Sequence, residues 1–232
     1  MSMKYFRLFN SVGPEVGFVP QVYDALLNFN IYDADSAYYL HFSKATETTL
    51  WPFPKLSGKA KKTDLISMSF MALSDKLLIS EKLHRILSEA NHDGIQFIKS
   101  ELTIRKNKTE EYWIINAYIN NISNLDLTQS SFAYLEGIGS ENKQDVYFKD
   151  LSTLDDAFRK NKEDIRIKGL ENHKPLVIEN IFIKKDSGAD FFALGSLQSG
   201  GIGYFVSEKV KAQIEAANCT GIVFTDPNGK YP

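Results

Sequence analysis

With a single cysteine, Cys219, among 232 residues, the chain can close no internal disulfide. A reducing compartment is therefore expected, and a fold held by its core rather than by staples. Neither sign of charge dominates. The formal net charge is −2, so the basic excess of a nucleic-acid binder is missing, and Lys59, Lys61 and Lys62 form only a local cluster. No apolar run approaches the length of a membrane span, and Met1 to Leu8 lacks the apolar core of a secretory signal. A cytoplasmic protein with no membrane contact is expected. The four histidines, His41, His84, His92 and His173, stand in no metal-ligand pattern, so no metal is expected. The glycine-rich stretch Gly195 to Gly203 has neither the phosphate-loop nor the dinucleotide spacing. Its Leu197-Gln198-Ser199-Gly200-Gly201 misses the nucleophile-elbow pattern, because the first position is leucine. No catalytic residue and no cofactor are implied.

What the chain does have is apolar mass and a repeated phrase. Apolar residues make up 43% and charged residues 24%, ordinary for a globular protein, and the sixteen Phe and eleven Tyr favour sheet. Leu78-Ile79-Ser80-Glu81-Lys82 leads to Asn91, Gly94, Ile95 and Phe97. At a constant offset of 127 residues, Phe205-Val206-Ser207-Glu208-Lys209 leads to Asn218, Gly221, Ile222 and Phe224. Eight of the eighteen positions from Ser80 to Phe97 are identical to their counterparts, where unrelated compositions give roughly one match.

Each copy predicts strand, capped helix, turn, strand. Ser80 and Ser207 stand where a hydroxyl accepts from an orphan helical N–H, and Glu81 and Glu208 place a carboxylate in the first turn. Leu83, Ile86, Leu87 and Ala90 form one apolar stripe, and Val210, Ile214 and Ala217 the other. Gly94 and Gly221 suit the left-handed backbone that closes such a helix. The motif residues Ser80, Glu81, Lys82, Asn91, Gly94, Phe97 and their second set Ser207, Glu208, Lys209, Asn218, Gly221, Phe224 thus hold the fold rather than perform chemistry. His84 and His92 correspond to Lys211 and Cys219, so a solvent-facing or rim role is expected for each.

Elsewhere, Lys4 to Leu8 reads as a strand, Val22 to Leu27 as a short helix and Tyr38 to Phe42 as a strand. Trp51-Pro52-Phe53-Pro54 with Leu56 to Lys62 reads as irregular linker, since proline removes a donor. Ile95 to Ile104 and Glu111 to Asn120 form a hairpin, with Tyr112 to Ile115 at a sheet centre. Leu151 to Lys162 predicts a helix, and Ile165 to Ile167, Leu176 to Ile183 and Phe191 to Leu194 predict strands. The fold expected is α+β, a mixed, mostly antiparallel sheet carrying two similar strand-helix-strand units. Residues 1–74 form an N-terminal segment or subdomain and 75–232 an α/β domain with the internal repeat, unless 1–232 is one domain. Ser196, Gln198 and Ser199 offer a partner-contact loop.

The ordered set from Leu78 to Phe97, the aromatic strand ending in Asn116, Leu125-Asp126-Leu127 with Ser130, and Phe205 to Phe224 resembles family eleven of the bacterial immunity proteins, found in polymorphic and contact-dependent toxin systems. The resemblance covers roughly residues 75 to 227. It implies a non-enzymatic protein, without cofactor, that binds one cognate toxin and blocks it. Two other readings stay open on the residues alone. One is an enzyme using scattered carboxylates such as Glu110, Asp155 and Asp190, or the Gly195 to Gly203 loop. The other is a scaffold or assembly subunit built on the duplicated unit.

Overall fold

The computed structural model describes residues 4–105, 108–137, 140–168, 173–198 and 201–228. Helices and strands are both present and segregated, as an α+β chain requires, with the strands in three sheets rather than one. The first holds six strands in the order β2 (Val22–Leu26), β3 (Phe53–Leu56), β6 (Ile95–Arg105), β7 (Lys108–Ala117), β5 (Leu77–Ser80) and β4 (Leu65–Ile66). The second holds β11 (Phe191–Leu194), β12 (Gly203–Ser207), β1 (Tyr5–Asn10) and β13 (Ile222–Thr225). The third is β10 (Leu176–Asn180), β8 (Ser131–Leu135) and β9 (Lys143–Val146). Among the named strand pairs of the described residues only β3 and β6 run parallel, through Lys55 and Thr103.

The repeat sits once in each of the two larger sheets. Helix α1 (Glu81–Glu89) carries the chain from β5 to β6, which are parallel to each other because β7 lies antiparallel between them. Helix α3 (Glu208–Ala216) carries it from β12 to β13, and here the strand between them is β1, from the start of the chain. The second unit is thus completed by residues some two hundred positions away in sequence.

Both helices turn their stripes to one core. Leu83 and Leu87 of α1 and Val210 and Ile214 of α3 are buried with Leu8, Ile79, Ile115, Phe191 and Val206, and α1 packs against α3. The opposite face of the four-stranded sheet, with Phe192 and Phe205, is covered by the three-stranded sheet and by α2 (Leu151–Lys168) through Phe132, Leu154 and Leu176. Strands β11 and β12 are buried along their whole length, which is why they read as unbroken apolar runs. No helix of the described residues is long and apolar enough to cross a membrane.

Four local expectations are corrected. Val22–Leu26 is a strand, not a helix, because it pairs antiparallel with Phe53–Leu56. That pairing also makes a strand of part of the expected linker. Pro54 fits there because β3 lies beside the edge and makes little ladder with β6. Tyr38 to Phe42 is not a strand: the Ser36 hydroxyl accepts from Tyr38 N–H at 3.2 Å and starts a 3-10 turn over Ala37–Tyr39. Ile165 to Ile167 fall within α2, which Asp150 caps through Thr153 N–H at 2.9 Å and which meets no glycine or proline before it ends.

Candidate functional site

Both motif serines are helix caps. Ser80 Oγ accepts from Leu83 N–H at 3.3 Å and Ser207 Oγ from Val210 N–H at 3.4 Å. Each hydroxyl also donates to an aspartate that precedes it by 16 or 17 residues: Ser80 to Asp64 Oδ1 at 2.7 Å, and Ser207 to Asp190 Oδ1 at 2.6 Å. The backbone doubles the link, since Ser80 N–H donates to Asp64 O and Ser207 N–H to Asp190 O, both at 2.8 Å. The motif lysines close the set. Lys82 Nζ lies 3.0 Å from Asp64 Oδ2, and Lys209 Nζ lies 3.5 Å from Asp190 Oδ2.

Each aspartate then reaches across to the turn after the other unit's helix. Thr220 N–H donates to Asp64 Oδ2 at 2.8 Å, and Asp64 N–H donates to Thr220 O at 3.1 Å. On the other side Asp190 N–H donates to Asn91 O at 2.6 Å. Lys82 Nζ adds a bond to Asn218 O at 3.1 Å, while the Asn91 amide donates to Gly188 O at 2.6 Å. Burial raises the Asp64 carboxyl, but the bonds from Ser80, Thr220 N–H and Lys82 outweigh it and hold the group below the ordinary carboxylate value. Gly94 and Gly221 stand at φ +67° and +77°, in the turn leading into β6 and β13 rather than at the helix end itself.

The aromatic ends of the motif carry the same design with different side chains. His84 stacks on Trp113 with centroids 3.8 Å apart and an 8° tilt, and meets Phe97 edge-on. Its counterpart Lys211 lies 5.1 Å from the Phe6 ring and 5.4 Å from Phe224. Of the two roles expected for His84, solvent-facing or rim, the structure gives the rim: the imidazole is partly exposed with one face on Trp113, whose Nε1 is fixed by donating to Glu81 Oε2 at 2.8 Å. His92 likewise meets the Phe97 ring edge-on. Cys219 packs at the rim of the shared core, and burial pushes its thiol pKa up.

Ser196 and Gln198 are tied to β10: Ile178 N–H donates to Ser196 O at 2.8 Å, and Gln198 N–H donates to Ile178 O at 2.9 Å. Between them Leu197 is buried, leaving Gln198 as the exposed side chain. Ser199 lies outside the described residues. Among the described residues no three His, Cys, Asp or Glu side chains converge as metal ligands do.

A second surface escaped the reading of the sequence. The stretch between β2 and β3 leaves the sheet at Leu26 and returns at Phe53, two residues that face each other across the pair. It is closed halfway by Ala37 N–H to Leu50 O and Leu50 N–H to Asp35 O, both 2.9 Å. It exposes Tyr32, Tyr38 and Tyr39, whose rings meet edge to face at 5.8 and 5.1 Å. The signal available in sequence was the density of tyrosine beside aspartate in a stretch with no helical or strand period.

A family model described as Immunity protein family (Imm11) matches residues 35–228, which takes in both copies of the repeat and extends well ahead of the first. No curated protein matches the chain.

Proposed function

The chain belongs to the Imm11 immunity protein family, and from that premise we propose that it neutralises one cognate bacterial toxin by stoichiometric binding, without catalysis and without a cofactor. The observation that carries this reading is the family match across both units. Consistent with it, the serine, aspartate and lysine of each copy are engaged with one another: serine caps helix, aspartate holds serine, lysine holds aspartate. A rigid body of this kind suits inhibition by occupation, because little ordering entropy is lost on binding.

Neutralisation requires nanomolar affinity, about −12 kcal/mol, through about 800 Å² on each partner with a few desolvated anchors. The place of action in this reading is the cytoplasm, where a toxin would meet the protein. This reading takes 1–232 as one folding unit, which the insertion of β1 between β12 and β13 supports.

The test is capture of the tagged chain from its native host, co-expression with the toxin domain that co-purifies, and calorimetry of the purified pair. The expected result is relief of lethality and a one-to-one complex with both polypeptides chemically unchanged. Protection at far less than one copy per toxin, or a covalent change in the toxin, would overturn the non-enzymatic mechanism. Failure to relieve lethality would overturn the reading itself.

A further inference from the structure

We propose that the toxin docks, through a basic patch of its own surface, on the acidic tyrosine-rich face formed by β2, β3 and the excursion between them. This rests on the immunity reading above and assigns its contact surface.

Exposed apolar side chains are not spread evenly. Seven of the fourteen large hydrophobics exposed among the described residues fall on this stretch, between Val22 and Leu56. Several are half or more in solvent, including Tyr23 at 59%, Leu26 at 52%, Tyr32 at 60% and Tyr39 at 53%. Single exposed apolar residues need no explanation, but a concentration of this kind marks an interaction site. Tyrosine is enriched there because a rigid ring buries much area at small entropic cost while its hydroxyl keeps a polar partner.

The face is also prepared in advance. The 3-10 turn that presents Tyr38 and Tyr39 is capped by Ser36, and the Tyr39 hydroxyl donates to Tyr32 O at 3.4 Å. The next residues are fastened to the body of the fold. Lys76 Nζ donates to Leu40 O at 2.7 Å, Asn116 Nδ2 to Ser43 O at 3.0 Å, and Ala45 N–H to Gln96 Oε1 at 2.7 Å. The Phe42 ring presses on Gly195, where an added Cβ would sit 2.3 Å from Cε2. The buried anchors hold the loop, and the tyrosines are left outward.

Charge selects the occupant. From Val22 to Leu56 stand four exposed carboxylates, Asp24, Asp33, Asp35 and Glu47, against two lysines, Lys44 and Lys55, the second 3.6 Å from Asp24, so Asp33, Asp35 and Glu47 carry the excess on this face. A second copy of this chain would bring the same negative field to the same place and be repelled. A basic protein surface would be drawn in, with faster association at low salt.

The experiment uses the toxin domain whose lethality the wild-type chain relieves. Binding and association rate are measured at about 50 and about 500 mM salt for wild type, Tyr38→Ala/Tyr39→Ala, Asp33→Lys/Asp35→Lys, and the distant control Tyr147→Ala. Unchanged melting curves show that the variants fold. The tyrosine pair should weaken binding at least a hundredfold and abolish protection. The charge reversal should slow association about tenfold at low salt, with the difference fading at high salt, and the control should match wild type. A folded tyrosine variant that binds and protects as wild type overturns the assignment while leaving the immunity reading intact. So does a wild-type dimer that the tyrosine variant dissociates with no effect on the toxin. If wild type itself relieves nothing, the immunity reading fails first and this assignment with it.

Discussion

Tyr5 and Tyr112 are the same residue of the fold, met twice. Tyr112 lies opposite Ser80 and Tyr5 opposite Ser207 in the two ladders. The Tyr112 hydroxyl donates to Thr63 O at 2.9 Å and the Tyr5 hydroxyl to Ala189 O at 3.0 Å, each the residue just before the motif aspartate. Both rings are buried, and burial raises both phenol pKa values. Tyr112→Phe and Tyr5→Phe should each cost about 1–2 kcal/mol, because a buried carbonyl loses its donor. Tyr5→Phe should cost more, since its hydroxyl is also bonded to Ser187. Urea unfolding of the two variants checks the order, and a neutral effect at either position would refute the equivalence.

The two caps should differ in depth. Ser207 and Asp190 are both buried, whereas Ser80 is partly exposed and Asp64 keeps the Thr220 N–H when its serine is lost. Ser80→Ala is expected to cost about 1 kcal/mol as a lost cap. Ser207→Ala should cost about 2–3 kcal/mol, because it also strips a buried carboxylate of its closest donor. Equal losses in equilibrium unfolding would contradict this.

Asp64 gives the pH dependence a sign. Its carboxyl titrates below the ordinary 3.8 in the folded protein, so the stabilisation it provides is complete above that value and is lost as pH falls through the lower folded one. Asp64→Asn should therefore be less stable than wild type near neutrality, by about 2 kcal/mol for a charge-assisted link, with the gap closing in acid. A gap that stays constant from neutral pH to about pH 3 would exclude Asp64 as its source.

Backbone freedom is needed at Gly221 and not at Gly58. Gly221 combines φ +77° with a Cβ position only 2.4 Å from Leu65 O, while a Cβ at Gly58 would meet nothing within 4 Å. Gly221→Ala should lose about 3 kcal/mol or more from strain and backbone clash together. Gly58→Ala should stay within about 0.5 kcal/mol of wild type. Thermal melting separates the two, each kcal/mol being worth about 2–4 °C at this size.

The legible parts were those set by neighbours in sequence. Ser80 and Ser207 announced their helices because a cap, a first-turn carboxylate and an apolar stripe all act within a few residues. The long hairpin of β6 and β7 was legible for the same reason. The errors fell where a distant partner decides. Val22–Leu26 took strand form from Phe53–Leu56, a partner that no local pattern names. Asp64 and Asp190 were not legible as members of the repeat because the spacing to their serines differs by one residue, 16 against 17, which breaks the ungapped offset.

Two capped strand-helix-strand units, and the residues that start and close each one, are written in the linear order of the chain. Long-range packing settles that the first unit takes its middle strand from the following hairpin, while the second takes it from Tyr5–Asn10. Capping and turn chemistry are local and can be read in order along the chain. Pairing between strands far apart in the chain is decided by which edges meet in space, and no local signal marks it. The exposed tyrosines followed the same rule, for their density was visible in sequence but their outward direction was set by buried anchors on Lys76, Gln96 and Asn116.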